Sequence, residues 1–224
     1  MTDRPEIIVF DVNETLLTLA SLRPVFAQVL GSSNQIGEWF ARMLHGSVVS
    51  NELDAYRSFG SIGVEALLML AHRHGIEVSR DRAEHVVAGM RRLDPHPDEV
   101  PAMESLRDAG FRTATLTNGS SDAAAAQLDH AGLTSLLDES MTVDEVGKFK
   151  PARVVYEAAA GRFGVDISKL LMVAAHDWDI AGAAAAGCQT AFVARPGVSW
   201  SLPGRPPGLV VDDLNGLVGA MTDA

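Results

Sequence analysis

The spacing of apolar residues changes along the chain, and each spacing predicts a different kind of element. Residues 6–12 are a short apolar run rich in β-branched side chains, which is typical of a buried strand in a parallel sheet. From residue 19 to residue 90 the apolar positions recur at helical spacing, without a convincing strand pattern. Farther on, strand-like and helix-like segments alternate, which indicates parallel βαβ units.

The alternating part predicts strands at 111–117, 170–175, 190–194 and 209–211, and helices at 122–131, 152–163 and 180–186. Before it, two prolines in segment 93–97 interrupt the helices, because proline lacks an amide donor and fixes its own backbone. We therefore predict an α/β fold with a doubly wound parallel sheet. Residues 1–17 and 94–224 would form this Rossmann-like core, and residues 18–93 an inserted helical cap domain.

Composition and charge exclude several classes of protein. Hydrophobic residues make up 47% and charged residues 21%, as in an ordinary globular protein. With 18 Lys and Arg against 29 Asp and Glu, the net charge of −11 disfavours nucleic-acid and membrane partners. Cys188 is the only cysteine, so we expect a buried structural thiol and no intrachain disulfide. No segment has the length of a signal peptide or a membrane span, and we expect a cytoplasmic protein.

Candidate chemistry lies where predicted strands end, because open parallel sheets bind ligands at the carboxyl ends of their strands. Asp11 closes the first strand, and Thr117-Asn118-Gly119 closes the next one. Lys150 precedes a helix, and the segment 176–179 follows a third strand with a histidine, two carboxylates and a tryptophan. We expect these four places to converge on one crevice beneath the cap.

Each of these features also has a structural explanation when it is taken alone. Asp11 could cap a helix or a turn, and Asn118-Gly119 is a common turn sequence. Lys150 could be an ordinary surface lysine. The two carboxylates of segment 176–179 could bind a metal or simply cap a helix that begins at Ile180.

Taken together, the segments FDVNETL, LTNGS, KFKP and VAAHDWD resemble the four signature segments of the haloacid dehalogenase superfamily. The helical insertion corresponds to the cap of its 2-haloacid dehalogenase (type II) branch. The resemblance implies that Asp11 is a covalent nucleophile and that its catalytic partners are Thr15, Asn118, Lys150 and Asp179. It implies hydrolytic dehalogenation of a short 2-haloacid through an aspartyl ester.

The resemblance also implies a substrate site under the cap, with Thr117 and adjacent backbone amides holding the substrate carboxylate. The side chains that we assign to this site are Asn13, Phe40, Leu44, Phe59, Thr117, Tyr156, His176 and Trp178. We expect a small-molecule carboxylate as the substrate and a homodimer as the assembly to test.

The phosphatase branch of the superfamily carries magnesium-binding aspartates at two positions that are occupied here by Asn13 and Ala174. Magnesium needs several oxygen ligands, so we expect neither a metal nor another cofactor. Two alternatives stay open: a magnesium-dependent small-molecule phosphatase, and a non-catalytic carboxylate-binding protein of the same fold.

Two departures from the type II pattern concern the leaving group and the nucleophile. Phe40 stands where that branch has an arginine that accepts the halide, and Arg42 lies about 200° farther round a helix. We therefore expect Arg42 to face away from Asp11 and the turnover of ordinary 2-chloroacids to be slow. His176 replaces the usual asparagine, where it could donate to Asp11 or be satisfied elsewhere within the site.

Overall fold

The computed structural model describes residues 4–203 and 205–223. Its main sheet has six strands in the order β5-β4-β1-β6-β7-β8, and every neighbouring pair is parallel. The six are β1 (Ile7–Phe10), β4 (Arg112–Thr117), β5 (Glu139–Thr142), β6 (Leu170–Ala174), β7 (Gln189–Val193) and β8 (Leu209–Val211). The two remaining strands, β2 (Leu17–Thr18) and β3 (Asp94–Pro95), form a separate antiparallel pair.

Helices surround this sheet and fill the long insertion between β2 and β3. They are α1 (Arg23–Leu30), α2 (Ile36–Glu52), α3 (Phe59–Arg73), α4 (Arg80–Ala88), α5 (Glu99–Asp108), α6 (Ser121–His130), α7 (Arg153–Phe163), α8 (Asp177–Ala186) and α9 (Leu214–Thr222). Short 3-10 turns lie at Leu19–Leu22, Ser33–Gln35, Gly89–Arg92, Thr134–Leu136, Val143–Glu145 and Ile167–Lys169. The doubly wound, Rossmann-like fold predicted from the sequence is confirmed.

The apolar run of β1 explains its place in the sheet. All four of its side chains are buried, and its neighbours on the two sides are β4 and β6. A strand covered on both faces needs such continuous hydrophobicity. The polar residues that follow β1, β4 and β6 therefore emerge side by side at one edge of the sheet.

Helices α1 to α4 form the layer that we call the cap. Trp39 of α2 is fully buried there, lies 5.1 Å from the ring of Phe26, and donates to the carbonyl of Gly63 at 2.9 Å. The chain enters this layer after β2 and leaves it before β3, so the β2–β3 pair connects the cap to the core. The division at residues 17/18 and 93/94 into core and cap domains stays a prediction.

Some local expectations were wrong. Helix α8 begins at Asp177, not at Ile180, so His176 occupies its N-cap position. Strand β5 and helices α5 and α9 were not anticipated. Across the described ranges, none of the helices has the length and apolar character needed to cross a membrane.

Candidate active site

Lys150 is the centre of the polar cluster at the strand ends. Its ammonium donates to Asp11 Oδ1 at 2.9 Å, to Asp179 Oδ2 at 2.6 Å and to the Leu116 carbonyl at 2.8 Å. Lys150 and Asp179 are buried, and Asp11 is almost so. Charge-assisted hydrogen bonds of this length are strong, and a buried ammonium is stable only with such partners. The structure thus joins three of the predicted catalytic residues.

The charges in this cluster set the protonation of each carboxylate. Burial opposes ionisation of Asp11, but Lys150 and His176 hold the pKa of its carboxyl well below the ordinary value. Burial raises the pKa of Asp179 and the charge of Asp11 adds to this effect, although Lys150 opposes it. Asp11 is therefore an ionised, desolvated carboxylate at neutral pH, as a nucleophile must be.

Thr15 fixes the second oxygen of Asp11. Its hydroxyl donates to Asp11 Oδ2 at 2.8 Å and accepts from the Ala175 amide at 2.9 Å. Arg195, which sequence reasoning missed, donates to the Thr15 carbonyl at 2.8 Å and forms two bonds to Asp98. Arg195 lies just after β7, so its position at the carboxyl end of a predicted strand could have indicated it. This group braces the nucleophile loop from behind.

His176 contacts the nucleophile directly. Its Nδ1 lies 3.1 Å from Asp11 Oδ2. The imidazole ring is stacked between Phe40, at 5.8 Å and 30°, and Trp178, at 5.1 Å and 28° between ring planes. The residue in the arginine position and the residue in the asparagine position of the type II pattern therefore contact each other.

Further aromatic side chains from the cap and the core pack against this group of stacked rings. Phe59 meets Phe40 edge to face at 6.4 Å and also contacts Phe149, a residue absent from the sequence prediction, at 6.0 Å. Leu44 is partly buried against the same core. Phe40, Phe59 and Trp178 thus lie in apolar surroundings, which strengthen electrostatic interactions nearby. Their contact with a substrate stays a prediction.

Asn118 and Thr117 behave differently from each other. Asn118 Oδ1 accepts from the Lys150 amide at 3.0 Å, whereas its Nδ2 is buried without a hydrogen-bond partner among the described residues. Thr117 Oγ1 accepts from the Gly119 amide at 3.1 Å. The Gly119 amide therefore already has a partner in Thr117. That Thr117 and adjacent backbone amides hold a substrate carboxylate stays a prediction.

Asn13 and Tyr156 were assigned to the substrate site, but each side chain forms a hydrogen bond to another residue of the protein. Asn13 Oδ1 accepts from Gln127, which also donates to the Met90 carbonyl and so connects core and cap. The Tyr156 hydroxyl donates to Asp179 Oδ1 at 2.6 Å and is fully buried. Tyr156 therefore anchors Asp179.

Two further charges do not reach the nucleophile. Arg42 is paired with Glu38 on the same helix, with Nη2 to Oε1 at 2.8 Å, as its helical phase predicted. Asp177 Oδ1 accepts from the Trp178 amide, and its Oδ2 accepts from the Ser201 hydroxyl. Both carboxylate oxygens of Asp177 are therefore engaged with Trp178 and Ser201. Within 4–203 and 205–223, no three His, Cys, Asp or Glu side chains are grouped as metal ligands.

A cleft of about 360 Å³ opens beside the cluster between the cap helices α3 and α4 and the core helix α6. The residues that line it include Asn13, Phe59, Glu84, Arg91 and Gly119. Its volume falls in the range of small-molecule pockets.

Comparison with known proteins places this geometry in a family. The model of the haloacid dehalogenase-like hydrolases matches residues 5–187. The chain belongs to this hydrolase family. It is 31% identical to (S)-2-haloacid dehalogenase 1 of Pseudomonas sp. (strain CBS-3), over 84% of this chain and 83% of that protein. It is 28% identical to (S)-2-haloacid dehalogenase 4A of Burkholderia cepacia, over 88% and 86% of the two chains.

One similar solved structure contains a covalently bound acid. The L-2-haloacid dehalogenase of Xanthobacter autotrophicus with chloropropionic acid covalently bound has a TM-score of 0.90 and 25% identity to this chain. The match covers 96% of this chain and 97% of that one.

Proposed function

We propose that this protein hydrolyses the carbon–halogen bond of a short 2-haloacid through an ester on Asp11. One observation carries the proposal: an ionised, buried Asp11 is held at the strand end between Lys150 and Thr15. The haloacid dehalogenase names of its relatives, and the covalent adduct in one of them, support this substrate class.

The first step is a displacement at carbon 2 of the acid. An oxygen of Asp11 bonds to this carbon while the carbon–halogen bond breaks, and the bonding electron pair leaves with the halide. Lys150 and Thr15 keep the carboxylate aimed, which favours a near-attack geometry. Asn118 Nδ2 and Trp178 Nε1, buried donors without a partner in the described part of the chain, are available to the substrate's anionic groups.

The second step returns the enzyme to its starting state. Water adds to the ester carbonyl of Asp11, the bond between that carbonyl carbon and the substrate oxygen breaks, and a 2-hydroxy acid leaves. Asp11 is regenerated as a carboxylate, and one proton is released. Neither step is written with a metal or another cofactor, because Lys150, paired with both Asp11 and Asp179, supplies the positive charge beside the reacting carboxylate.

The proposal includes a cytoplasmic location, a small carboxylate as the partner molecule and a homodimer. The net charge of −11 and the single buried Cys188 favour the first two over nucleic-acid, membrane or disulfide-bonded alternatives. Exposed apolar side chains of Leu53 at the end of α2 and Met69 on α3 would suit a self-association surface. Light scattering in solution tests the assembly.

The decisive experiment combines halide release with isotope labelling. A panel of 2-chloro and 2-bromo acids, with and without chelator, should give halide at equal rates under both conditions. In one turnover with excess enzyme in oxygen-18 water, the label should enter Asp11. Asp11→Asn should abolish turnover while the matched surface change Asp129→Asn leaves it intact.

Three results would contradict the proposal. Label that appears in the hydroxy acid during the first turnover would show direct attack by water. Magnesium-dependent cleavage of phosphate monoesters would identify a phosphatase. Binding of 2-haloacids without any halide release would identify a carboxylate-binding protein.

A further inference from the structure

We infer that His176 accepts the proton of the water that cleaves the Asp11 ester. The inference rests on the proposed function and adds a second catalytic group to it. The contact that carries it is the 3.1 Å approach of His176 Nδ1 to Asp11 Oδ2, inside the group that becomes the ester. A base that acts on this ester must lie within hydrogen-bond reach of a water beside the same carboxyl group.

The side of the nucleophile on which His176 lies decides between two roles for it. In a direct displacement, the halide departs on the side of carbon 2 opposite to the attacking oxygen. Because Nδ1 contacts the Asp11 carboxyl itself, this nitrogen lies on the side of the attacking oxygen. His176 is therefore placed for the water step, whereas the departing halide meets other donors.

Asp179 is the other group that could take this proton, but its oxygens are already engaged. Oδ2 accepts from Lys150 at 2.6 Å, and Oδ1 accepts from Tyr156 at 2.6 Å. Its side chain is fully buried, so an attacking water would have to displace one of these donors. His176 keeps 15% of its side chain exposed and can exchange a proton with solvent.

Ester formation itself changes the electrostatics around His176. Before the first step, Nδ1 faces a carboxylate, whose oxygens can only accept hydrogen bonds. The ester that replaces it is neutral, so Nδ1 no longer faces a full negative charge when it must act as an acceptor. Stacking between Phe40 and Trp178 supplies no competing charge, and Asp177 is turned toward Ser201. Lys150 and Asp179, on the other side of Asp11, retain their own ion pair.

Both protons of the attacking water are accounted for in this step. Neutral His176 takes one proton from water as the water oxygen bonds to the Asp11 carbonyl carbon. When the bond to the substrate oxygen breaks, His176 returns this proton to the departing alkoxide, which leaves as the 2-hydroxy acid. The second proton of the water stays on the Asp11 carboxyl and then passes to solvent, which restores the carboxylate.

The test separates ester formation from ester hydrolysis in His176→Asn, since asparagine can donate to Asp11 but cannot accept a proton. We expect one equivalent of halide per enzyme at a rate within about tenfold of the unaltered protein. Steady-state turnover should fall by about 10² to 10⁴, the range for loss of a general base. Mass spectrometry should find the acid attached to the peptide that contains Asp11.

A second variant tests the same role without relying on the first. His176→Ala leaves a space between Phe40 and Trp178, and added imidazole should restore hydrolysis of the accumulated ester. The exposed His72, changed to asparagine, is the matched control and should turn over normally.

Hydrolysis of the ester in His176→Asn at the normal rate would overturn the inference. So would a parallel fall of halide release and turnover without any adduct, or a failure of imidazole to rescue His176→Ala. Absence of halide release from the unaltered protein is a different result, because it contradicts the proposed function itself.

Discussion

At the scale of single residues, one ammonium group serves two carboxylates with opposite pKa shifts. Lys150 lowers the pKa of Asp11, whereas burial and the charge of Asp11 raise that of Asp179. The Tyr156 hydroxyl donates to Asp179 and favours its ionised form. Tyr156 thus keeps Asp179 available as a partner of Lys150.

Removal of this hydroxyl should change the acid side of the pH profile. In Tyr156→Phe, Asp179 loses a donor to its charged form, so its pKa rises further above the ordinary value. We expect the acid limb of kcat/KM to move to higher pH and activity to fall by about tenfold, equivalent to about 1.4 kcal/mol. Tyr56→Phe, which removes a hydroxyl bonded to Asp144, is the control and should leave this limb in place. An unmoved limb in Tyr156→Phe would show that Asp179 does not limit activity.

The charged residues of this cluster leave a clearer pattern in the sequence than their hydrogen-bond partners do. Asp11, Lys150 and Asp179 stand at strand or helix ends, and the topology alone brings such positions together. The bond from Tyr156 to Asp179 depends on how α7 packs against α8, and the bond from Arg195 to Thr15 spans most of the chain. Contacts of this kind follow from tertiary packing and have no local pattern.

At the scale of elements, buried strands were predicted well and exposed or capped segments poorly. Strands β1 and β6 are continuous buried apolar runs, which leave a clear signal. Strand β5 has the sequence ESMT at the edge of the sheet, with only one large apolar residue. The start of α8 was misplaced because Asp177 and Trp178 belong to its first turn, where Asp177 Oδ1 accepts from the Trp178 amide. A carboxylate there has the same appearance in a sequence as a catalytic one.

Close approach of α8 to the loop that carries Lys150 gives a prediction at this scale. A Cβ added at Gly182 would lie 2.5 Å from Pro151 Cβ and 2.8 Å from the Tyr156 hydroxyl oxygen. Gly182→Ala should therefore lower the free energy of unfolding by about 1–3 kcal/mol, as overpacking does, and also reduce activity.

Gly161 of α7 provides the control, because nothing lies within 4 Å of a Cβ added there. Gly161→Ala should be neutral or stabilising by up to about 1 kcal/mol. Urea unfolding of both variants measures the difference. Equal stability of the two would contradict the close packing of α8.

At the scale of the whole molecule, a buried carboxylate makes stability depend on pH. Glu99 of α5 is fully buried, and neither of its oxygens has a hydrogen-bond partner within the described ranges. Burial raises the pKa of Glu99 to about 8, with Arg195 opposing and Asp98 adding to the rise. The folded protein therefore holds a proton there that the unfolded chain has lost by neutral pH.

A raised pKa in the folded state fixes the sign of this dependence. Between the ordinary value of 4.5 and about 8, the folded state binds more protons than the unfolded state, so stability falls as pH rises. Glu99→Gln should flatten this slope in unfolding experiments, by up to about 5 kcal/mol across the interval. The exposed Glu104 on the same helix, changed to glutamine, should retain it. A slope that persists in Glu99→Gln would assign the dependence to other groups.

The Asn51 side chain at the end of α2 connects the cap to the residue before Lys150. Asn51 Nδ2 donates to the Phe149 carbonyl at 2.8 Å, and its Oδ1 accepts from the Phe149 amide at 2.8 Å. Phe149 is the residue before Lys150, so movement of the cap either breaks this pair of bonds or displaces the backbone that positions the ammonium.

Exchange of substrate and product would then occur at different times from the chemical steps. If opening of the cap displaces this backbone, substrate would enter and product would leave while Asp11 lacks its fixed cation. With the cap closed, the Asp11–Lys150 pair would be complete and exchange would stop. The time for which the cap stays closed would thus limit the time available for water to hydrolyse the ester.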